Sequence, residues 1–140
     1  MNAEDVSKGV IFSRGEPMPE PISQNFTGKV YRNMLVPADS PLGYPIAYVT
    51  FEPGSRTNWH RHPGGQILLV MGGRGWYQEE GKPPRELNAG DVVEIPRNAK
   101  HWHGAAKESW FAHIALEVDL RAGQAEWLEP VADQDYEQLS

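Results

Sequence analysis

The five histidines are the residues of this chain best equipped for chemistry, and they fall in three short windows. His60 and His62 are spaced H-x-H, Gln66 follows four residues later, His101 and His103 form a second H-x-H pair, and His113 stands alone. On a strand, residues two apart project from the same face, so each pair offers two imidazoles to one side. Neutral imidazole is the commonest protein ligand for first-row transition metals. The grouping points to a single metal ion held on a β-scaffold.

The elements that must position these side chains read as short strands. The chain has 140 residues, enough for one domain with a real core. Its 14 glycines and 12 prolines punctuate it at short intervals, as in an all-β sandwich or barrel. Pro17, Pro19 and Pro21 mark residues 1–25 as an extended N-terminal arm rather than core, leaving 26–140 as a single domain. Strands are predicted at Lys29–Val36, Ile46–Phe51, Gln66–Met71 (ended by Gly72-Gly73), Val92–Ile95 and Trp110–Val118. Gly75–Glu80 and Arg85–Leu87 flank a loop with Gly81, Pro83 and Pro84 and read as a hairpin. Asp133–Leu139 is the one good candidate helix, with Asp133 as its N-cap.

Composition narrows the partners. The net charge is −6 and no basic run appears, so nucleic acid is not an expected partner. No segment is apolar for long enough to span a bilayer, so no membrane is expected either. The acidic start Met1-Asn2-Ala3-Glu4-Asp5 does not read as a secretory signal, and a cytoplasmic location is the expectation. With no cysteine, disulfides, zinc–thiolate sites and thiol nucleophiles are excluded.

The histidines sit in a longer pattern. Gly54-(x)5-His60-x-His62-(x)3-Gln66-(x)6-Gly73 closely follows the first cupin motif, and Gly90-(x)5-Pro96-x-Asn98-(x)2-His101 follows the second. The chain therefore resembles the cupin superfamily, which implies a double-stranded β-helix (jelly-roll) barrel with a metal inside. Gln66 stands where most cupins carry Glu, and Asn98 replaces a turn glycine. The stretches Phe26-Thr27-Gly28, Arg56-Thr57-x-Trp59-His60-x-His62-Pro63, Gly75-Trp76 and Lys100–Ala106 are similar to those of the bacterial manganese-dependent cupins with hydroxynitrile lyase activity, a group that shares the Gln ligand.

That resemblance implies one divalent transition metal, manganese favoured and iron, zinc, nickel or cobalt possible by chemistry, on His60, His62, Gln66 and His101. A neutral Gln leaves the dication's full charge, which favours Lewis-acid chemistry over stabilising a higher oxidation state. The resemblance also implies His113 as general base, with His103 and Thr57 as its hydrogen-bonding partners, and a small-molecule pocket lined by Ala47, Val49 and Glu117. The metal would acidify the hydroxyl of a cyanohydrin, His113 would accept its proton, and the C–C bond would break to give an aldehyde and cyanide. Imidazole suits that task because its unperturbed pKa lies near neutrality. Glu117 lies where a relative carries Gln.

Other functions fit the same fold. One is a metal-dependent dioxygenase or a cupin acting on sugar acids, and another is a module that binds a small ligand without turnover. Trp59 and Trp102 alternate with the metal ligands and should face away from them. Those outward aromatics and the arm are the expected contact of a homodimer.

Overall fold

The computed structural model describes residues 12–140. Residues 1–11 of the expected arm lie outside them. The strands are β1 (Glu16–Pro17), β2 (Phe26–Thr27), β3 (Val30–Val36), β4 (Ile46–Phe51), β5 (Arg56–Thr57), β6 (His60–Arg61), β7 (Gln66–Glu79), β8 (Arg85–Asn88), β9 (Val92–Ile95), β10 (His101–Ala105), β11 (Phe111–Glu117) and β12 (Glu126–Trp127). The helix α1 spans Asp133–Glu137. All pairings are antiparallel and link neighbours in the order β1-β3-β4-β11-β7-β10-β5-β2. The result is an all-β jelly-roll barrel with one short C-terminal helix.

Period-two alternation decides which side chains look inward. In β4, Ala47, Val49 and Phe51 face the interior, while Tyr48 joins a separate cluster with Ala112 on the outer face. Phe51, Leu68, Leu87, Val93 and Phe111 fill the space between the two sheets. The inner faces of β4 and β11 stay in register, with Val49 opposite His113 and Ala47 opposite Ala115. This row places the histidine beside small apolar neighbours.

The Gly72-Gly73 pair does not end a strand, contrary to the prediction from sequence. The strand β7 runs on to Glu79 and serves both sheets: residues 66–73 pair with β11, and residues 75–79 pair with β10. The register slips between Ala112 and His113, and Gly73 takes φ +75°. A bulge with a glycine in left-handed geometry bends a strand rather than stopping it. A Cβ on Gly73 would also strike the carbonyl oxygen of Trp110.

The ends of the chain differ from expectation in three further ways. The described part of the arm is not wholly extended: β1 pairs with β3, Ile22–Asn25 form a 3₁₀ turn, and Met18 packs on the main core. Asp133 is not the N-cap of α1. Ala132 holds that position, and the Asp133 carboxylate instead accepts a 2.7 Å hydrogen bond from the buried Arg56 guanidinium. Trp102 does face away from the histidines, but it is 1% exposed, covered by Val131 and Tyr136 of its own chain. It is therefore no free interface aromatic. Among the described residues, no helix is long and apolar enough to cross a membrane.

Gly73→Ala should lose clearly more stability than Gly81→Ala. Both positions have positive φ, but a Cβ at Gly81 meets nothing within 4 Å. The strain alone is worth about 1–3 kcal/mol, and only Gly73 adds a backbone collision. Urea unfolding midpoints would show the gap, and equal losses would contradict the bend described for β7.

Candidate metal centre

Four elements carry the site. His60 lies on β6 and is paired directly with His101 on β10, and His62 follows β6. Gln66 opens β7, directly opposite Glu117 at the end of β11. All four candidate ligands are nearly sealed from solvent: His60 1%, His62 7%, Gln66 7% and His101 0% exposed. Their rings crowd together, with centroids 4.2 Å apart for His60–His101, 5.0 Å for His60–His62 and 5.7 Å for His62–His101.

The hydrogen bonds show which ring nitrogen each histidine offers. His60 Nδ1 lies 2.9 Å from the Asn58 carbonyl, and His101 Nδ1 lies 2.9 Å from the Ala99 carbonyl. His62 Nδ1 lies 3.2 Å from Glu117 Oε2. A carbonyl can only accept, so Nδ1 of His60 and of His101 donates, and the lone pair is left on Nε2; the carboxylate beside His62 Nδ1 favours the same tautomer there. Gln66 follows the same logic. Its Nε2 donates to Glu117 Oε1 at 3.0 Å, which fixes the amide so that Oε1 is the free end. Gln66 Oε1 and His101 Nε2 are buried with no hydrogen-bond partner. Buried acceptors without partners are costly, and a dication satisfies several of them at once. This mixed nitrogen and oxygen set fits a first-row divalent ion.

Distance alone groups the residues differently. The ligand atoms of His60, His101 and His103 lie within 4.8 Å of one another, a cluster that can hold a metal ion. The hydrogen bonds separate His103 from the rest. Its Nδ1 has no partner, so nothing outside the site fixes its tautomer. Metal-bound histidines are normally held through the second nitrogen, a feature shown by His60 and His101, while His62 Nδ1 lies against the Glu117 carboxylate.

Glu117 is the residue whose role the sequence did not reveal. Expected as pocket lining, it does line the cavity, but both its oxygens also hold candidate ligands. The Tyr44 hydroxyl donates to the Glu117 carbonyl and fastens this corner of the backbone. The negative charge that a Glu ligand would bring is still present, one hydrogen bond further out.

A cavity of about 550 Å³ opens beside the cluster. Ala47, Val49, Thr57, His103 and His113 all line it. His113 is 1% exposed and neither ring nitrogen has a partner. Its ring lies edge-on to His103, 4.9 Å away, with no bond between the two. Thr57 Oγ1 accepts from the backbone N–H of His103 at 3.2 Å, so it holds the strand rather than an imidazole. Trp127, which the sequence did not single out, stacks on His60 at 4.5 Å and lines the same cavity.

Burial penalises the imidazolium forms of His60, His101, His103 and His113. It lowers His101 and His113 to about 4, and, helped by neighbouring imidazoles, holds His60 and His103 well below the usual range. The unperturbed, near-neutral pKa of imidazole is thus displaced downward at His113 by its surroundings. Unfolding returns these groups to the ordinary value of 6.5.

Comparisons with known proteins identify the family of the fold. A cupin-domain family model matches residues 47–114. A cupin-like protein from Thermotoga maritima superposes with a TM-score of 0.85, at 46% identity, covering 93% of this chain and 96% of that one. The chain belongs to the cupin superfamily. Within it, the chain is similar to (R)-mandelonitrile lyase of Granulicella tundricola, 45% identical over 111 residues, or 79% of this chain and 85% of that protein. It also matches dimethylsulfoniopropionate lyase DddQ of Ruegeria pomeroyi at 38% identity over 75 residues, 53% of this chain and 37% of that protein.

Two outcomes follow from the site. Because the unfolded chain binds protons more readily than these folded histidines, stability is full above pH 6.5 and is lost as pH falls toward 4. Urea midpoints of the metal-free protein should fall across that window, and a flat profile would contradict the burial argument. Glu117→Ala, by releasing both His62 and Gln66, should weaken metal binding by about 10–100-fold. Competition with a chromogenic chelator measures this directly, and an unchanged dissociation constant would remove the clamp.

Proposed function

We propose that this protein is a metal-dependent lyase of the hydroxynitrile type, cleaving or forming cyanohydrins. The observation that carries the reading is the cluster of His60, His62, Gln66 and His101, in which Gln66 Oε1 and His101 Nε2 are buried without a partner, beside a cavity that also holds the unpartnered imidazole of His113. The 45% identity to (R)-mandelonitrile lyase supports it. A bound divalent transition metal, manganese favoured, supplies a Lewis acid that polarises a hydroxyl or carbonyl oxygen.

The chain's own residues do the rest. Ala47 and Val49 are small enough to leave room for an aryl or alkyl group on the substrate. His113 accepts the hydroxyl proton on a ring nitrogen, both of which are free. The carbon–carbon bond then breaks, its electron pair leaves with cyanide, and an aldehyde remains. Protonated His113 is strongly disfavoured by burial, so it passes its proton on to cyanide readily. His103, packed edge-on, and Thr57, bonded to the His103 backbone, hold that wall of the cavity in place.

Benzaldehyde release from mandelonitrile, with bound metal quantified in each sample, tests the reading. His113→Ala should keep its metal and lose about 10²–10⁴ in kcat, the usual scale for a general acid–base residue. His101→Ala should lose metal and activity together. Absence of metal-dependent release in the wild type would remove the lyase, and release unchanged in His113→Ala would remove the named base.

A further inference from the structure

Two residues lining the cavity, histidines aside, carry formal charge: Glu117 and Arg32. Both oxygens of Glu117 are engaged by Gln66 and His62. Arg32 is half-buried and, among the described residues, its guanidinium makes no ion pair and no hydrogen bond. Glu16 is its ladder partner on β1, but no ion pair joins the two side chains.

The position of Arg32 follows from the strand pattern. Val30 on the same strand is in the main core, so Arg32, two residues on, shares its inward face. Arg32 sits opposite Val49 on β4, and Val49 sits opposite His113 on β11. One row across three strands thus runs from His113, over a small apolar floor, to a guanidinium. Two strand spacings put the Cα atoms of His113 and Arg32 roughly 10 Å apart. The next row, Met34–Ala47–Ala115, is apolar throughout. A half-buried guanidinium on an otherwise apolar wall calls for an anion, and its planar fork matches a carboxylate in bidentate fashion.

We propose that the substrate carries a carboxylate, held by Arg32 at the end of the cavity remote from the metal centre and joined to the reacting carbon by a short spacer such as an aryl ring. This rests on the reading of the metal and His113 as the reacting end. It makes Arg32 the residue that selects acidic aldehydes or their cyanohydrins over neutral ones. A single guanidinium among apolar side chains suits a carboxylate better than a phosphate, which calls for more donors.

Calorimetric binding to the metal-loaded protein tests this without any turnover, using 4-carboxybenzaldehyde and its neutral methyl ester. The wild type should bind the acid at least tenfold more tightly than the ester. Arg32→Met should abolish that preference and leave ester binding unchanged, and Arg32→Lys should keep part of it. Equal affinities in the wild type, or binding of neither compound, would overturn the proposal. So would a preference that survives Arg32→Met, because the carboxylate would then be drawn to the metal itself. Adding cyanide to the same samples separates the two readings. An Arg32-dependent preference without cyanohydrin formation removes the lyase and leaves the carboxylate site standing.

Discussion

An imidazole has two nitrogens, and what one of them does dictates what the other can do. In this protein the Nδ1 atoms of His60 and His101 are each occupied by an oxygen that can only accept, from Asn58 and Ala99, and His62 Nδ1 faces the Glu117 carboxylate at 3.2 Å. Two of those oxygens are backbone carbonyls two residues upstream of the ring they hold. The turn of the main chain before each ligand thus sets its tautomer and its direction. Without these bonds the rings could rotate or exchange tautomers, and nothing would force three lone pairs toward one point. The rest of the barrel serves to keep those oxygens where they are.

The barrel achieves this through register. The strand β7 begins with Gln66 opposite Glu117, crosses the core, bends at Gly73 and ends with Glu79 opposite His101. A single continuous strand thereby ties the β11 side of the site to the β10 side. The same register aligns His113 with Val49 and Arg32, so one cavity has a cluster of buried nitrogen and oxygen donors near one end and a cation at the other. The donors are preorganised because hydrogen bonds outside the site hold most of them. They are also under tension, because the site buries acceptors that nothing in the protein satisfies. A metal held there would relieve that cost, which would couple its binding to folding stability.

Much of this was legible in the sequence wherever spacing is local. The H-x-H pairs, the Gln66 offset and the turn glycines define the fold, because cupin ligands are set by short stretches of chain. The bounds of Ile46–Phe51 could be read from alternation alone. What stayed hidden depends on contacts between distant segments. Glu117 reaches Gln66 across 51 residues, and Arg56 takes Asp133 away from its helix cap across 77. The two-residue strands β5, β6 and β12 are too short to show a period. At Gly72-Gly73 the same residues serve for a stop and for a bend, and only the partner strands decide between them. Burial of His113, which lowers its pKa, also depends on segments far apart in the chain and could not be read from residue type.

The most direct test of the account is a crystal structure of the manganese-loaded protein with the ion located by anomalous scattering. The account predicts one ion bonded to Nε2 of His60, His62 and His101 and to Oε1 of Gln66, with the Nδ1 bonds to Asn58 and Ala99 intact and His62 Nδ1 against Glu117. An ion bound instead by His60, His101 and His103, with Gln66 and His62 outside its reach, would show that proximity rather than the fixed tautomers selects the ligands, and would contradict it.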